Sequence, residues 1–286
     1  MHIGWAREQD AAMAVRGNVT TEIYQIFYNE ETRGALDPGF IPLDNSRSEH
    51  PDWLEFWVIL NFLQTHELRD DRWYGFVSPK FSHKTGWDSK FVHDTVQRND
   101  GKSDVVLFSP FIDELTIYQN TFEQGEWWHR GILATCQTAI TKMGACYDAE
   151  KSVGTLYNSV FCNYVVARPS YWRNWRDLAV RLFDLAKHDV WGVAALNASS
   201  IHDQKSLPIK LFVQERLTSI ILADGRFRTY VPPENLAFSR YEGAKREFLV
   251  TCEYLKQTYA TSGDPYYLSA FKELRLAHYA HGFYLG

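Results

Sequence analysis

Two lysines stand four residues apart, directly after an apolar segment of the chain. The segment Tyr74–Val77 is followed by a Ser-Pro pair, and Lys80 and Lys84 come next. In open α/β sheets, ligands bind beyond the carboxyl ends of strands, so two ammonium groups there suit an anionic ligand such as a pyrophosphate. A strand-to-loop exit with solvated lysines is the alternative interpretation of the same pattern.

Carboxylates that could take part in acid–base chemistry stand at two other places. Asp113 and Glu114 follow the sequence Ser-Pro-Phe-Ile, and Glu215 lies beside Arg216 within the apolar segment LFVQERLTSIIL. Acidic residues in the first turn of a helix also stabilise its positive end, which is the structural alternative for Asp113 and Glu114. For Glu215 and Arg216, the structural alternative is an ion pair on the polar face of a helix.

Alternating strand and helix patterns must position these residues. β-branched and aromatic segments predict strands over Thr21–Tyr28, Tyr74–Val77, Asp104–Phe108, Val160–Ala167 and Phe227–Val231. Apolar residues at helical spacing predict helices over Pro51–Leu68, Asp88–Arg98, Phe111–Phe122, Trp127–Lys142, Pro169–Lys187, Ile209–Ala223, Glu242–Tyr259 and Pro265–Tyr279. The alternation predicts an α/β fold with a central sheet flanked by helices and a helical C-terminal segment.

Composition narrows the class of protein. The 286 residues are 45% hydrophobic, which is enough for a sizeable core, and the net charge of −5 argues against a general nucleic-acid binder. Aromatic residues make up 15% of the chain and supply flat apolar faces for the core or for stacking on sugars and bases. The N-terminal stretch contains acidic residues and lacks the apolar core of a signal peptide, and no apolar run reaches the length of a membrane span. With four cysteines and no CxxC pair, we expect free thiols and a cytoplasmic location.

Four blocks of the chain carry a resemblance to a known family. They are Leu43–Leu63 (LDNSRSEHPDWLEFWVILNFL), Tyr74–Gly86 (YGFVSPKFSHKTG), Val160–Trp175 (VFCNYVVARPSYWRNW) and Leu207–Ala223 (LPIKLFVQERLTSIILA). Their pattern and order resemble small bacterial glycosyltransferases of the GT-A type that build O-antigen or capsule polysaccharide. The resemblance implies a GT-A-like (Rossmann-like) domain over residues 1–240, with residues 241–286 as a helical extension packed on it.

The resemblance also implies an activity. The chain would transfer a hexosyl group from a nucleotide sugar, which we expect to be UDP-linked, to a lipopolysaccharide O-antigen or capsule glycan. Peripheral association with the inner face of the cytoplasmic membrane would bring it to a lipid-linked acceptor. A glycoside hydrolase with paired carboxylates and a non-catalytic carbohydrate-binding protein are the alternatives that the sequence leaves open.

One departure from the family concerns metal. Many GT-A enzymes hold a divalent ion on an Asp-x-Asp motif, and this chain has none; the nearest match, Asp148-Ala-Glu150, is expected to be a solvated turn. A leaving diphosphate still needs positive charge or N–H donors. We therefore expect metal-independent transfer in which Lys80, and to a smaller extent Lys84, stabilise the diphosphate. Use of Mn²⁺ or Mg²⁺ stays open.

The remaining site predictions follow from the same resemblance. Asp44 and Asn45 would bind the donor ribose or base, although an Asx turn before the next helix explains them equally well. Glu215 would be the general base, with Asp113 and Glu114 next in rank. The residues predicted to bind the acceptor are Asn163, Arg168, Arg216 and Trp128.

Overall fold

A mixed six-stranded sheet forms the centre of the protein. The computed structural model describes residues 19–202 and 205–280. In spatial order, the strands are β2 (Ile41–Asp44), β1 (Thr20–Phe27), β3 (Arg72–Val77), β5 (Val165–Ala167), β4 (Val105–Leu107) and β8 (Thr229–Tyr230). β1 pairs in parallel with β2 and β3, and β4 pairs in parallel with β8, whereas β5 runs antiparallel to both β3 and β4. The predicted α/β class with a central sheet is confirmed.

Helices connect and flank these strands. They are α1 (Glu30–Gly34), α2 (Glu55–Thr65), α3 (Phe81–Thr85), α4 (Ser89–Asn99), α5 (Ile112–Ile117), α6 (Thr121–Trp128), α7 (Ile132–Lys142), α8 (Pro169–His188), α9 (Val190–Leu196), α10 (Ile209–Gln214), α11 (Leu217–Leu222), α12 (Pro233–Leu236), α13 (Gly243–Ser262) and α14 (Pro265–Ala280). A 3₁₀ turn over Pro51–Trp53 precedes α2, and a two-stranded hairpin joins β6 (Ser199–His202) to β7 (Lys205–Pro208). Within the described ranges, none of the helices combines the length and apolar character needed to cross a membrane.

Hydrophobic side chains cover both faces of the sheet. Tyr74 and Phe76 point to one face, where Trp172 of α8 packs edge-on against Phe76 and donates its indole N–H to the Tyr74 carbonyl at 2.8 Å. Trp73 and Val77 point to the other face and join a cluster with residues of α4. This alternation follows from the two-residue repeat of a strand.

Four predicted helices and one predicted strand differ clearly from the structure. The helix predicted over Pro51–Leu68 is divided at Leu54 into the 3₁₀ turn and α2, which ends at Thr65. The helix predicted over Ile209–Ala223 is interrupted at Glu215 and Arg216, and the one predicted over Phe111–Phe122 stops at Ile117. In the last case, the Asn120 side chain accepts hydrogen bonds from two backbone N–H groups and starts α6 instead.

The other two differences have equally local causes. α6 ends at Trp128, so the helix predicted from Trp127 begins only at Ile132. The strand predicted over Val160–Ala167 pairs only from Val165, because Cys162 and Asn163 adopt positive φ angles of 62° and 53° that a strand cannot accommodate.

The strand order determines where a ligand would bind. The chain passes from β1 to β2 on one side and returns to β3 on the other, so the topological switch point lies between β1 and β3. Ligands of open α/β sheets bind in the crevice beyond the carboxyl ends of the strands at such a point. Because β5 runs in the opposite direction, the residues that precede it lie at this same edge of the sheet.

Candidate functional site

A small and narrow cleft, with about 10 Å³ of free volume, lies at the carboxyl edge of β1 and β3. Its lining consists of Ile26, Glu55, Ile59, Phe76, Val77, Cys162, Asn163, Gln214 and Glu215. We call this the switch-point cleft. It brings together the first residue of α2, the loop before β5, and the segment between α10 and α11, which are far apart in the sequence.

Glu55 is the central acid of the cleft. Burial raises the pKa of its carboxyl group to about 7, and a hydrogen bond from Tyr28 and the charge of Lys84 oppose the rise, while the charge of Glu215 adds to it. A carboxyl group with a pKa near neutrality can both accept and donate a proton at physiological pH. An acid in a cleft whose pKa is shifted by burial and by specific neighbouring charges is a candidate catalytic residue.

The backbone before Glu55 has an unusual conformation. Leu54 has a positive φ angle of 49°, which an ordinary side chain disfavours. Its carbonyl accepts a hydrogen bond from the Asn45 side-chain amide at 3.1 Å, and the Asn45 backbone N–H is bonded to the Phe27 carbonyl at the end of β1 at 2.9 Å. Asn45, predicted as a donor-binding residue, is thus buried and connects the end of β1 to the start of α2.

Lys84 supplies the cation that faces the two carboxylates. It lies in α3, and its Nζ donates to Cys162 Sγ at 3.2 Å and lies 5.9 Å from the centroid of the Phe111 ring. Burial alone would lower the pKa of Lys84, but the interaction with Cys162 and the charges of Glu55 and Glu215 raise it overall. Because burial raises the pKa of the Cys162 thiol to about 12, the thiol is neutral at pH 7, and the carboxylates keep Lys84 charged.

The two lysines of the YGFVSPKFSHKTG segment have different environments. The side chain of Lys80 is exposed, and its backbone N–H donates to Ser78 Oγ at 3.2 Å. Its charge still acts on Glu55, although less than that of Lys84. Of the two lysines, Lys84 therefore lies nearer to the switch-point cleft, because it contacts the lining residue Cys162 and acts more strongly on Glu55.

A hydrogen-bonded amide pair forms another part of the cleft lining. Asn163 Nδ2 donates to Gln214 Oε1 at 3.0 Å, and Asn163 Oδ1 accepts from the Thr218 hydroxyl at 3.3 Å. Thr218 is in turn bonded to the buried Tyr171 hydroxyl at 2.8 Å. Asn163, which is predicted to bind the glycan acceptor, therefore lies in the cleft. The hydrogen bonds fix the orientation of both amides.

Four of the other predicted residues do not line the cleft. Asp44 is exposed and accepts the Ser46 backbone N–H at 2.8 Å, which forms an Asx turn. Hydrogen bonds from the Ser46 side chain and backbone hold the pKa of the Asp44 carboxyl below the usual range. Asp113 forms an ion pair with Lys245 at 3.6 Å, and Glu114 accepts from the Gln124 amide at 2.6 Å. Trp128 lies at the end of α6 with 57% of its surface exposed.

Both predicted arginines also have partners elsewhere. Arg216 is buried and donates to the Thr121 and Phe212 carbonyls and to Gln124 Oε1, at 2.6 to 2.8 Å. Arg168 follows β5 and therefore lies at the opposite edge of the sheet, where it pairs with Asp100 and stacks 4.7 Å from the Trp73 ring centroid.

A larger open groove lies away from the sheet edge. It is lined by Leu133, Ala134, Gln137, Thr138, Cys146, Tyr147, Asp148, Glu150, Ser152, Ala223 and Asp224. The Asp148 carboxylate accepts the backbone N–H groups of Glu150 and Lys151 at 3.0 and 2.9 Å, which is the arrangement of a turn. Size alone favours this groove, but the switch-point cleft holds the perturbed acid and the convergent charges, so it is the candidate site.

Sequence reasoning missed Glu55, Tyr28 and Gln214. From the sequence, Glu55 is only one residue of the helix predicted over Pro51–Leu68, where an early glutamate stabilises the positive end of the helix. No local pattern identifies Glu55, because β2, the strand that precedes it, is not among the strands that the sequence predicts.

Comparisons with known proteins add no family to these observations: no family model, curated protein or solved structure matches the chain. Within residues 19–202 and 205–280, no group of three or more His, Cys, Asp or Glu residues is placed to hold a metal ion.

Proposed function

We propose that the protein is a glycosyltransferase that moves a sugar from a nucleotide-sugar donor to a glycan acceptor. The observation that carries the proposal is the meeting of Lys84, Glu55 and Glu215 at the switch point of an α/β sheet. The GT-A-like fold, a UDP-linked donor and an O-antigen or capsule acceptor at the inner membrane face belong to the same proposal. The order of the four sequence blocks supports them.

The chemistry assigns one role to each charged group. Glu55, as a carboxylate, takes the proton of the acceptor hydroxyl while that oxygen forms a bond to the anomeric carbon. The bond from this carbon to the phosphate oxygen breaks, and the electron pair leaves with the nucleoside diphosphate. Lys84 stabilises the charge that grows on the diphosphate. Asn163 and Gln214 would face sugar hydroxyls.

A glycoside hydrolase is the second candidate, because one specific observation favours it. The Glu55 and Glu215 carboxylates interact, and one of them has a raised pKa. An acid with a raised pKa beside a second carboxylate is the pattern of a glycosidase general acid and its partner. The adjacent Lys84 argues for the transferase, since a hydrolase has no diphosphate to stabilise.

Two assays on the full chain separate these functions. A thermal-shift panel of nucleotides and nucleotide sugars tests binding, because a ligand of the native state raises its apparent stability. Nucleotide release is then measured with and without glycan acceptors, in EDTA and with added Mn²⁺, beside hydrolysis of aryl glycosides. Nucleotide release that depends on the acceptor supports the proposal. If this release persists in EDTA, the result supports stabilisation of the diphosphate by Lys84 and not by a metal ion. Aryl-glycoside hydrolysis without any nucleotide effect would favour the hydrolase.

A further inference from the structure

Lys210, at the start of α10, is a buried lysine outside the switch-point cleft. Only 3% of its surface is exposed, and it forms an ion pair with Asp52. Its Nζ also donates to Asn197 Oδ1 at 2.7 Å and lies 4.6 Å from the centroid of the Trp53 ring. Asn197 is itself fixed, since its amide donates to the Ala186 and Val193 carbonyls at 2.9 and 3.0 Å.

These contacts fix the 3₁₀ turn that precedes Glu55. Asp52 and Trp53 belong to the 3₁₀ turn directly before Leu54 and Glu55, and Trp53 is buried against Phe56 with ring centroids 4.7 Å apart. Asn45 holds the Leu54 carbonyl on the other side of the turn. A positive φ angle at Leu54 persists only where the surrounding structure imposes it, and Lys210 is part of that structure.

The opposite end of α10 faces the cleft. α10 is one short helix whose first turn contains Lys210 and whose last residue, Gln214, lines the cleft together with the following Glu215. The same helix therefore holds the Glu55 turn with one end and presents Glu215 with the other. We propose that Lys210 is a positioning residue that sets the separation between Glu55 and Glu215. Its effect on turnover rests on the proposed function.

Lys210 acts through geometry and not through its own field. The groups that act most directly on the Glu55 carboxyl are Tyr28, Lys84, Glu215 and Lys80. Lys210 is bonded to Asp52 and Asn197 instead. If the turn loosens, water reaches Glu55 and Glu215 moves away, and both changes lower the pKa of Glu55 towards that of an ordinary glutamate.

The test uses Lys210→Met, which keeps the length of the side chain and removes its charge. In the full chain, the Glu55 titration is followed by NMR of the glutamate side-chain carbons, with Glu55→Gln to assign the signal. We expect the midpoint to fall by about one pH unit or more. Turnover of a nucleotide sugar should fall by roughly 10- to 100-fold, the scale of a small misplacement of catalytic groups. Lys210→Arg should restore much of both, and Lys187→Met, an exposed lysine stacked on Phe183, should change neither.

Asp52→Asn keeps the test valid if Lys210→Met does not fold. The Asp52 side chain is 52% exposed, so the amide introduced by Asp52→Asn remains in contact with solvent. This variant should lower the Glu55 midpoint in the same direction as Lys210→Met, but by less. An unchanged Glu55 midpoint in a folded Lys210→Met or Asp52→Asn variant overturns the inference. A protein that turns over no nucleotide sugar contradicts the proposed function, whereas the NMR titration still decides the role of Lys210.

Discussion

Glu55 combines a position at the switch point with a pKa near neutrality, and both properties depend on its neighbours. If it is the base, Glu55→Gln should reduce turnover by about 10²-fold or more, the scale for loss of a general base. Donor affinity should change little, because the amide keeps the shape of the side chain. The measurement is steady-state nucleotide release beside nucleoside-diphosphate binding, with circular dichroism to verify folding. Turnover close to that of the wild type would remove Glu55 from the chemistry.

The sequence predicts Glu215 as the general base, and in the structure Glu215 acts on Glu55 as a neighbouring negative charge. Glu215→Gln removes that charge, so Glu55 should ionise more easily and its pKa should fall. The activity of a base depends on its ionised form, so the rise of turnover with pH should move to lower pH in this variant. A pH–rate profile measures the shift. A complete loss of activity at every pH would instead assign the proton transfer to Glu215.

The two lysines of the YGFVSPKFSHKTG segment should differ in their effects. Lys84→Ala removes the cation of the cleft, and loss of a bond to a charged group is worth roughly 1.5–3 kcal/mol, or about 10- to 150-fold in diphosphate affinity or turnover. Lys80→Ala removes a solvent-exposed charge and should have a smaller effect. Isothermal titration with UDP and other nucleoside diphosphates compares the two variants. Equal effects, or a larger effect at Lys80, would contradict this assignment.

At the scale of elements, the sequence predicted those whose signals are local. β1, β3, α8 and the helix capped by Asp88 lie within a few residues of their predicted ends, because periodicity and the Asp88 cap act over one or two turns. The predicted helix over Ile209–Ala223 differs because Arg216 turns inward to carbonyls of α6 and α10. No local pattern reports such a tertiary contact.

The same distinction explains the site. The lysine segment was found because its charges follow a strand in the sequence, which is a local signal. The burial of Glu55 arises only when β1, β5 and α10 come together, and Cys162, Asn163 and Gln214 join it through long-range packing. A single sequence does not show which carboxylate such packing will enclose.

The C-terminal helices are bonded to the elements near the site. Lys256 of α13 is completely buried, and its Nζ donates to the Leu115 and Tyr118 carbonyls at the end of α5, at 2.6 and 3.0 Å. The division into residues 1–240 and 241–286 stays a prediction, but these bonds couple the two parts.

Lys256→Met should lower the free energy of unfolding by about 1–3 kcal/mol, the cost of buried carbonyls without a donor. Urea unfolding measures this, with the exposed Lys272→Met as the control. Equal stability of the two variants would contradict the coupling.

For the whole molecule, the raised pKa of Glu55 predicts how stability depends on pH. The folded value is about 7 and the ordinary value is 4.5. A carboxyl group with a higher pKa in the folded chain favours folding fully below the ordinary value, and this contribution is lost as the pH rises through the folded value.

As the pH rises from about 4 to about 8, the wild type loses this contribution and Glu55→Gln does not. The free energy of unfolding of Glu55→Gln should therefore increase relative to that of the wild type by roughly 1–3 kcal/mol. Urea unfolding of both proteins at several pH values measures the difference, in which groups common to both cancel. Asp44→Asn is the control of opposite sign, because hydrogen bonds from Ser46 hold the pKa of Asp44 below the usual range. That variant should lose stability relative to the wild type as the pH rises through the acid range. A pH-independent difference for Glu55→Gln would mean that Glu55 titrates as an ordinary surface glutamate, and the basis for its role at neutral pH would be lost.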